Sequence, residues 1–409
     1  MGFSCRLCGD PLERTVVDLG MSPLANSYVE PDRIAEPEAF HPLHVFICDA
    51  CLLVQLPPAA SPEAIFGDYA YFSSFSSSWV DHARRAVEDL TTRYGLGADS
   101  LVVEIASNDG YLLQHVRARG IRALGIEPAA NVAEVAVAKG IPTRVAFFGR
   151  ALADELVNEG TRADLLIGNN VLAHVPDLND FVAGIARLLA PGGVAALEFP
   201  HLLRLLDETQ FDTIYHEHFS YFSFTTVRRA FAAHGLTLID VEEQSTHGGS
   251  IRIHARHDDN QALAISPRVA AMLAKEEAFG ILDFATYERF ARQVVEVKEQ
   301  LLEFLFAERR GGRLVVGYGA PAKGNTLLNY CGVKPEHLPF TVDLSPHKQG
   351  RLLPGTRIPI RAPEAIDAAK PDTVLILPWN LRAEIGAQMA RIREWGGRFA
   401  VAIPRLARD

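Results

Sequence analysis

Residues 101–114 read LVVEIASNDGYLLQ. The apolar run Leu101–Ile105 passes into a loop of small and polar residues, Ala106 to Gly110, and then into an apolar helix start. This is the strand–loop–helix opening of a doubly wound sheet, where small loop residues let backbone N–H groups approach a ligand. Working outward, RALGIE (122–127), ADLLIG (163–168) and GVAALEF (193–199) are short apolar runs separated by segments of helical spacing. Such runs form buried parallel strands, so residues 100 to about 200 are predicted to be a doubly wound α/β domain. Just upstream, DYAYFSSFSSSW (68–79) leads into a predicted helix with Val80, Ala83, Val87 and Leu90 on one face.

The pattern repeats toward the C-terminus. A charged helical segment from about Asp283 to Arg310 precedes RLVVGYGA (313–320), PFTVD (339–343), TVLILPWN (373–380) and RFAVAIP (398–404), which predict a second α/β unit. With 409 residues the chain exceeds one ordinary core. It divides in this reading into residues 1–58, 59–257 and 258–409. A hydrophobic fraction of 48% and a net charge of −10 describe a globular protein without the basic surface that a nucleic-acid partner requires. No run approaches the roughly 18 apolar residues of a membrane span. The start, MGFSCRLCGD, has neither a basic n-region nor an apolar h-region, so a cytoplasmic location is expected.

Cys5/Cys8 and Cys48/Cys51 form two C-x-x-C pairs. Each spacing lets two thiolates reach one tetrahedral ion from a tight turn, and in a cytoplasmic protein the double pair favours zinc over disulfides. Four thiolates leave no open position, so the zinc is expected to be structural. Pro57 and Pro58 mark the end of this module. Cys331 lies in an apolar stretch and reads as a small core residue.

The loop Glu104–Gly110 lacks the G-x-G-x-x-G fingerprint of a pyrophosphate site, so NAD or FAD fits poorly there. Glu127 follows about 20 residues on, at the end of the second strand, where a carboxylate accepts ribose hydroxyls. Asn169 and Asn170 close the next strand and belong to the same crevice. In the C-terminal unit, Gly317 to Asn325 places glycines after a strand with Lys323 as a compensating charge, which suits a diphosphate. Asp343 to Gly350, which includes Lys348, and Pro378-Trp379-Asn380 again follow strands and offer hydrogen bonds and a stacking surface.

VVEIASNDGYLLQ, NNVLAHVPD and YHEHFSY (215–221) together resemble the sugar C-methyltransferase family of deoxysugar biosynthesis, over essentially the whole chain. The resemblance implies an N-terminal zinc-binding module, a class I methyltransferase (Rossmann-like) domain and a C-terminal Rossmann-like α/β domain. It implies an S-adenosylmethionine site lined by Glu104, Ser107, Asp109, Gly110, Glu127 and Asn169. Ala106 departs from the G-x-G common among class I methyltransferases but resembles a variant used in this family. The C-terminal unit would hold the nucleotide of an NDP-sugar, usually dTDP. Thr246 to Ser250 matches a family segment whose role stays open.

A sugar C–H bond does not attack a sulfonium methyl unless the carbon becomes carbanion-like, and a neighbouring ketone allows that. The reaction needs a base, a donor near the keto oxygen and an aligned methyl group. The resemblance assigns Tyr69, His174, Tyr215, Glu217 and His218 to this site. His218 is expected as the base, with Glu217 orienting it or acting as base itself. Two other readings remain at this level: a dehydrogenase using GYGAPAKG, and a zinc-ribbon binding module on an inert Rossmann body. Net acidity and the clustered Tyr, Glu and His residues weigh against the latter.

Overall fold

A computed structural model of the chain describes residues 2–59 and 72–409. They cluster into two compact units, each built from separated stretches. The first comprises residues up to Leu12, Cys48–His201 and Phe219–Phe279; the second comprises Glu13–Ile47, Leu202–His218 and Gly280–Asp409. Among the described residues no helix is long and apolar enough to cross a membrane.

The first unit is organised by a seven-stranded sheet: β1 (Leu101–Ile105), β2 (Arg122–Ile126), β3 (Thr143–Arg144), β4 (Ala163–Asn169), β5 (Leu189–Pro200), β6 (Leu236–Gln244) and β7 (Ser250–His257). Their order is β6-β7-β5-β4-β1-β2-β3. The strands from β1 to β5 pair in parallel, whereas β7 is antiparallel to both β5 and β6. Every residue of β1 is buried, as its continuous apolar run requires of a strand covered on both faces. The helix α1 (Ser77–Arg93) packs with Ala83, Val87 and Leu90 in the same core as Leu112, Leu113 and Val116; Val80 is partly buried against it. Ser76 caps α1 by accepting from the Trp79 amide at 3.3 Å. Strands β3, β6 and β7 were not anticipated. β6 and β7 carry Asp240, Glu242, Arg252, His254 and Arg256 among their apolar residues, which masks the strand pattern.

The second unit pairs the antiparallel strands Arg14–Ser22 and His41–Ile47. It also contains a six-stranded sheet of β8 (Val315–Tyr318), β9 (Thr341–Val342), β10 (Ile360–Arg361), β11 (Thr373–Ile376), β12 (Arg398–Val401) and β13 (Ala407–Arg408). The order is β10-β9-β8-β11-β12-β13, parallel except for β13. The charged segment is one helix, α2 (Phe284–Arg310), capped by Asp283. It buries Tyr287, Phe290, Val294, Val297, Leu301, Phe304 and Leu305, spacings of three and four that define one apolar face. The helix α3 (Ala322–Cys331) follows β8, and Cys331 is buried as expected of a core residue.

One buried ion pair ties the C-terminal part of the first unit together. Glu276, fully buried, accepts from His201 Nε2 at 2.6 Å, from the Phe224 and Thr225 amides at 2.6 and 2.8 Å, and from Thr225 Oγ1 at 2.6 Å. It thereby satisfies the orphan N–H groups that open the helix Phe224–Ala232. Burial works to raise its pKa, but the hydrogen bond and charge of His201 outweigh that and hold it below the usual carboxylate range. Glu276→Ala is expected to cost about 3–5 kcal/mol, the usual penalty for breaking a buried pair, as measured by urea unfolding. Because the folded pKa is depressed, the parent's advantage over the variant is present above the carboxylate's unfolded pKa and shrinks as pH falls through the folded value.

Candidate functional site

The cysteine pairs form two matching turns. Gly9 N–H donates to Cys5 O at 2.9 Å, and Leu52 N–H to Cys48 O at the same distance. Gly9 and Leu52 both take left-handed backbone angles, φ 82 and 64. Glycine adopts this conformation at little cost, while Leu52 bears roughly 1–2 kcal/mol of strain for it. Cys5 and Cys51 sulfurs lie 3.4 Å apart, as do those of Cys8 and Cys48, and all four lie within 4.8 Å of one another. A zinc tetrahedron with bonds of about 2.3 Å needs sulfur separations of about 3.8 Å, so the four thiols fit one ion after a small adjustment. The Cys51 thiol, and less strongly the Gln55 amide 3.1 Å away, lower the Cys5 thiol against its burial, while the same hydrogen bond raises Cys51.

At the carboxyl ends of β1, β2 and β4 the first unit gathers Glu104, Ser107, Asp109, Gly110, Glu127, Asn169 and Asn170. The strand order reverses here, with β2 on one side of β1 and β4 on the other, which is where open α/β sheets bind ligands. The loop after β1 is sharply bent: Ala106, Asn108 and Gly110 all have positive φ. Two close approaches require glycine. A Cβ on Gly110 would meet Ile141 Cδ1 at 2.3 Å, and one on Gly125 would meet Ser107 Oγ at 2.4 Å. Glu127 fixes the loop, its Oε2 accepting from the Asn108 amide and its Oε1 from the Ala129 amide, both at 2.9 Å. Burial raises the Glu127 pKa against those two hydrogen bonds. Glu104 is pushed well above the usual range by burial and by the nearby Glu127 charge, against the pull of Tyr111.

Among the described residues, several buried polar atoms around this crevice have no hydrogen-bond partner: Ser107 Oγ, Asp109 Oδ1 and Asn170 Oδ1. Buried polar groups are normally satisfied, so this concentration fits a crevice that receives a polar ligand. The other Asp109 oxygen accepts from Ser74 Oγ and from Lys139 Nζ, the latter at 3.2 Å. Asn169 donates to the Tyr111 hydroxyl at 3.2 Å. His174 stands in the short turn Leu172–His174 just beyond β4.

The second unit holds the other candidates. Tyr215, Glu217 and His218 lie on the stretch after the turn Phe211–Thr213, against α3, where Thr326 Oγ1 donates to Ile214 O at 3.0 Å. His218 Nδ1 lies 2.8 Å from Thr213 O. A carbonyl only accepts, so the neutral imidazole carries its hydrogen on Nδ1 and keeps its lone pair on Nε2. The Tyr215 ring sits 4.1 Å from that imidazole. Glu217 is 6% exposed and accepts from Asn26 Nδ2 at 2.6 Å; burial pushes its carboxyl up to about 7 against that hydrogen bond.

Nearby on α3, Lys323 donates to Asn380 Oδ1 at 2.9 Å and lies 4.7 Å over the Trp379 ring. Trp379 Nε1 donates to the fully buried Asp212 at 2.7 Å, and burial raises Asp212 to about 6 despite Lys323. Asn325 donates to Ala25 O at 2.6 Å, while its own Oδ1 is buried without a partner among the described residues. Asp343 accepts from the Ala320 and Ser345 amides at 2.7 and 2.8 Å, and Lys348 donates to Ala320 O at 2.9 Å. Tyr69 lies outside the described residues. Asn26, Tyr28, Asp212 and Tyr111 were not anticipated as members of these clusters; their partners are distant in sequence, and no local motif marks them.

The thiolate geometry gives a direct expectation. Protein purified without added metal should carry one zinc per chain by elemental analysis, and Cys51→Ser should lose it. Zinc-free parent protein would overturn the assignment.

Three family models match in succession: "Putative zinc binding domain" over residues 5–66, "Methyltransferase domain" over 79–241 and "C-methyltransferase C-terminal domain" over 245–404. The C-methyltransferase NovU of Streptomyces niveus is 39% identical over 402 residues, covering 98% of this chain and 95% of that protein. A ubiquinone biosynthesis O-methyltransferase of Chelativorans sp. (strain BNC1) is 28% identical over 94 residues, 23% of this chain and 37% of that one. Among solved structures, an S-adenosylmethionine-dependent methyltransferase from Clostridium acetobutylicum ATCC 824 overlaps 44% of this chain and 92% of its own at 11% identity and a TM-score of 0.36, too slight to bear on function. The chain is an S-adenosylmethionine-dependent C-methyltransferase with a zinc-binding N-terminal cluster, and it belongs to the same C-methyltransferase family that its sequence motifs resemble.

Proposed function

We propose that the enzyme methylates the carbon next to the ketone, C-3, of a nucleotide-linked 4-ketosugar, with dTDP as the nucleotide and an enolate formed by a protein base. The observation that carries this reading is the His218–Thr213 hydrogen bond, which leaves Nε2 as the imidazole's proton acceptor. S-adenosylmethionine, when bound, supplies an electrophilic methyl group. Glu104, Ser107, Asp109, Gly110, Glu127, Asn169 and Asn170 hold it; each Glu127 oxygen keeps a lone pair for a ribose hydroxyl beyond the one given to a backbone amide. His218 removes the α-proton, and the electron pair moves onto the keto oxygen. Hydroxyl and imidazole donors from Tyr215, His174 and Tyr69 stabilise that oxygen as charge develops.

Lys323 answers the diphosphate, and Asn325, Asp343, Lys348 and Trp379 shape the nucleotide-sugar site. We further propose a modular division at residues 1–58, 59–257 and 258–409, which the successive family models support, and a cytoplasmic location. One observation favours a second assignment of the base. Glu217 is buried and raised to about 7, close to the pH at which a general base works best.

Glu127→Ala should weaken S-adenosylmethionine binding about tenfold or more in calorimetry, the worth of lost hydrogen bonds to a charged acceptor; an unchanged affinity would remove Glu127 from the site. His218→Asn should retain both ligands yet lower single-turnover methylation of a dTDP-4-ketosugar, followed by mass spectrometry, by roughly 10²–10⁴. If His218→Asn methylates at the parent's rate while Glu217→Gln does not, the base is Glu217. If neither change slows the chemical step, this reading of the 215–218 segment fails.

A further inference from the structure

The stretch Ala25-Asn26-Ser27-Tyr28 falls in the sequence matched by the zinc-binding model, yet it clusters with the second unit and holds none of the four cysteines. Within that unit it meets the candidate substrate residues at several points. Ala25 O accepts from Asn325 at 2.6 Å, and the Tyr28 hydroxyl donates to Ala320 O at the same distance. Lys348 lies 5.4 Å over the Tyr28 ring. Asn26 Nδ2 donates to Glu217 Oε1 at 2.6 Å, and Asn26 Oδ1 is 3.3 Å from the Tyr28 hydroxyl. A hydrogen bond that short, from a neutral amide to a buried carboxyl group, favours the ionised form.

We propose that Asn26 is a positioning residue of the reaction, whose amide orients the Glu217 carboxylate and stabilises it in its ionised state. The proposal rests on the placement of Glu217 in the reacting site made under Proposed function. Two features support it. The amide donates to Glu217 Oε1, where it opposes the upward effect of burial. The stretch that carries the amide is itself tied down, with Asn325 donating to Ala25 O and the Tyr28 hydroxyl donating to Ala320 O, both at 2.6 Å. In sequence Glu217 is flanked by Tyr215, His216 and His218, and among the described residues Tyr28 interacts with it electrostatically. Tyr28 keeps its proton because burial and the Asp343 and Glu217 charges raise it. His216 is lowered by burial, near Pro42 O and His41. Tyr28 and His216 are therefore neutral near pH 7, and neither offers the carboxylate a charge to replace the Asn26 amide.

The test titrates Glu217 directly. Infrared difference spectra of the full-length zinc-loaded enzyme are followed with pH, and Glu217→Gln identifies the carboxyl band. Asn26→Ala should move the band's midpoint upward by about one pH unit, as expected for losing a hydrogen bond to a charged group. The isosteric Asn26→Asp should move it further, because a like charge replaces the donor. Loss of shape alone would not produce that order. A midpoint unmoved in both variants overturns the proposal. The second arm measures the pH dependence of turnover with dTDP-4-keto-6-deoxyglucose as probe, where the acid limb of each variant should rise by the shift of that variant's own band midpoint. If the midpoint rises while Glu217→Gln turns over at the parent's rate, Asn26 still positions the carboxylate. In that case it is the reading of Glu217 as a participant in the reaction that falls.

Discussion

A carboxylate placed at a strand end must find donors, and in both units the loop after one parallel strand is built around a carboxylate that has found them in the backbone. In the first unit Glu127, at the end of β2, takes the Asn108 amide from the loop after β1. In the second, Asp343, at the end of β9, takes the Ala320 amide from the loop after β8. Each carboxylate also binds an amide two residues ahead of itself, Ala129 in one case and Ser345 in the other. The neighbouring strand thus dictates the path of the first loop, and the positive φ values of Ala106 and Asn108 persist because this side chain over-determines them.

The buried acids divide by what surrounds them. Burial acts to raise Glu198, but His82 and Arg252 outweigh it and hold the carboxyl down to about 2. Asp240 is likewise brought below its usual value, against burial, by Arg268 and Arg93. These residues lock β5, β6 and β7 to their surroundings as ion pairs. Glu104, Asp212 and Glu217 instead lack a cationic hydrogen-bond partner and are raised by burial.

This contrast also separates what the sequence discloses from what it hides. β1, β2, β4 and β5 are legible because strands buried on both faces must be continuously apolar, whereas α2 reads only as a charged helical segment and its apolar face emerges in the structure. The cysteine pairs are legible because the chemistry of a thiolate site depends on short spacings. β6 and β7 are not, since their buried charges are neutralised by partners such as Arg93 and Arg268 on other elements. Asn26 and Asp212 escape for the same reason: what defines them is a contact with Glu217 or Trp379, 191 and 167 residues away.

The division of the chain into interleaved stretches bears on when each unit can form. All residues of the first unit have been synthesised once Phe279 has left the ribosome. The second needs Glu13–Ile47 and Leu202–His218 together with Gly280–Asp409, so its early strands, though paired with each other, await their remaining partners until nearly the whole chain is made. Contacts of such long separation close slowly, and strands that wait expose edges prone to mispairing. A fragment beginning at residue 258 would lack Asn26, Tyr28, Asp212 and Glu217, and with them much of the surface that α3 and the β8 loop are shaped to meet. Exchange of the C-terminal part between relatives is therefore constrained by residues lying hundreds of positions upstream.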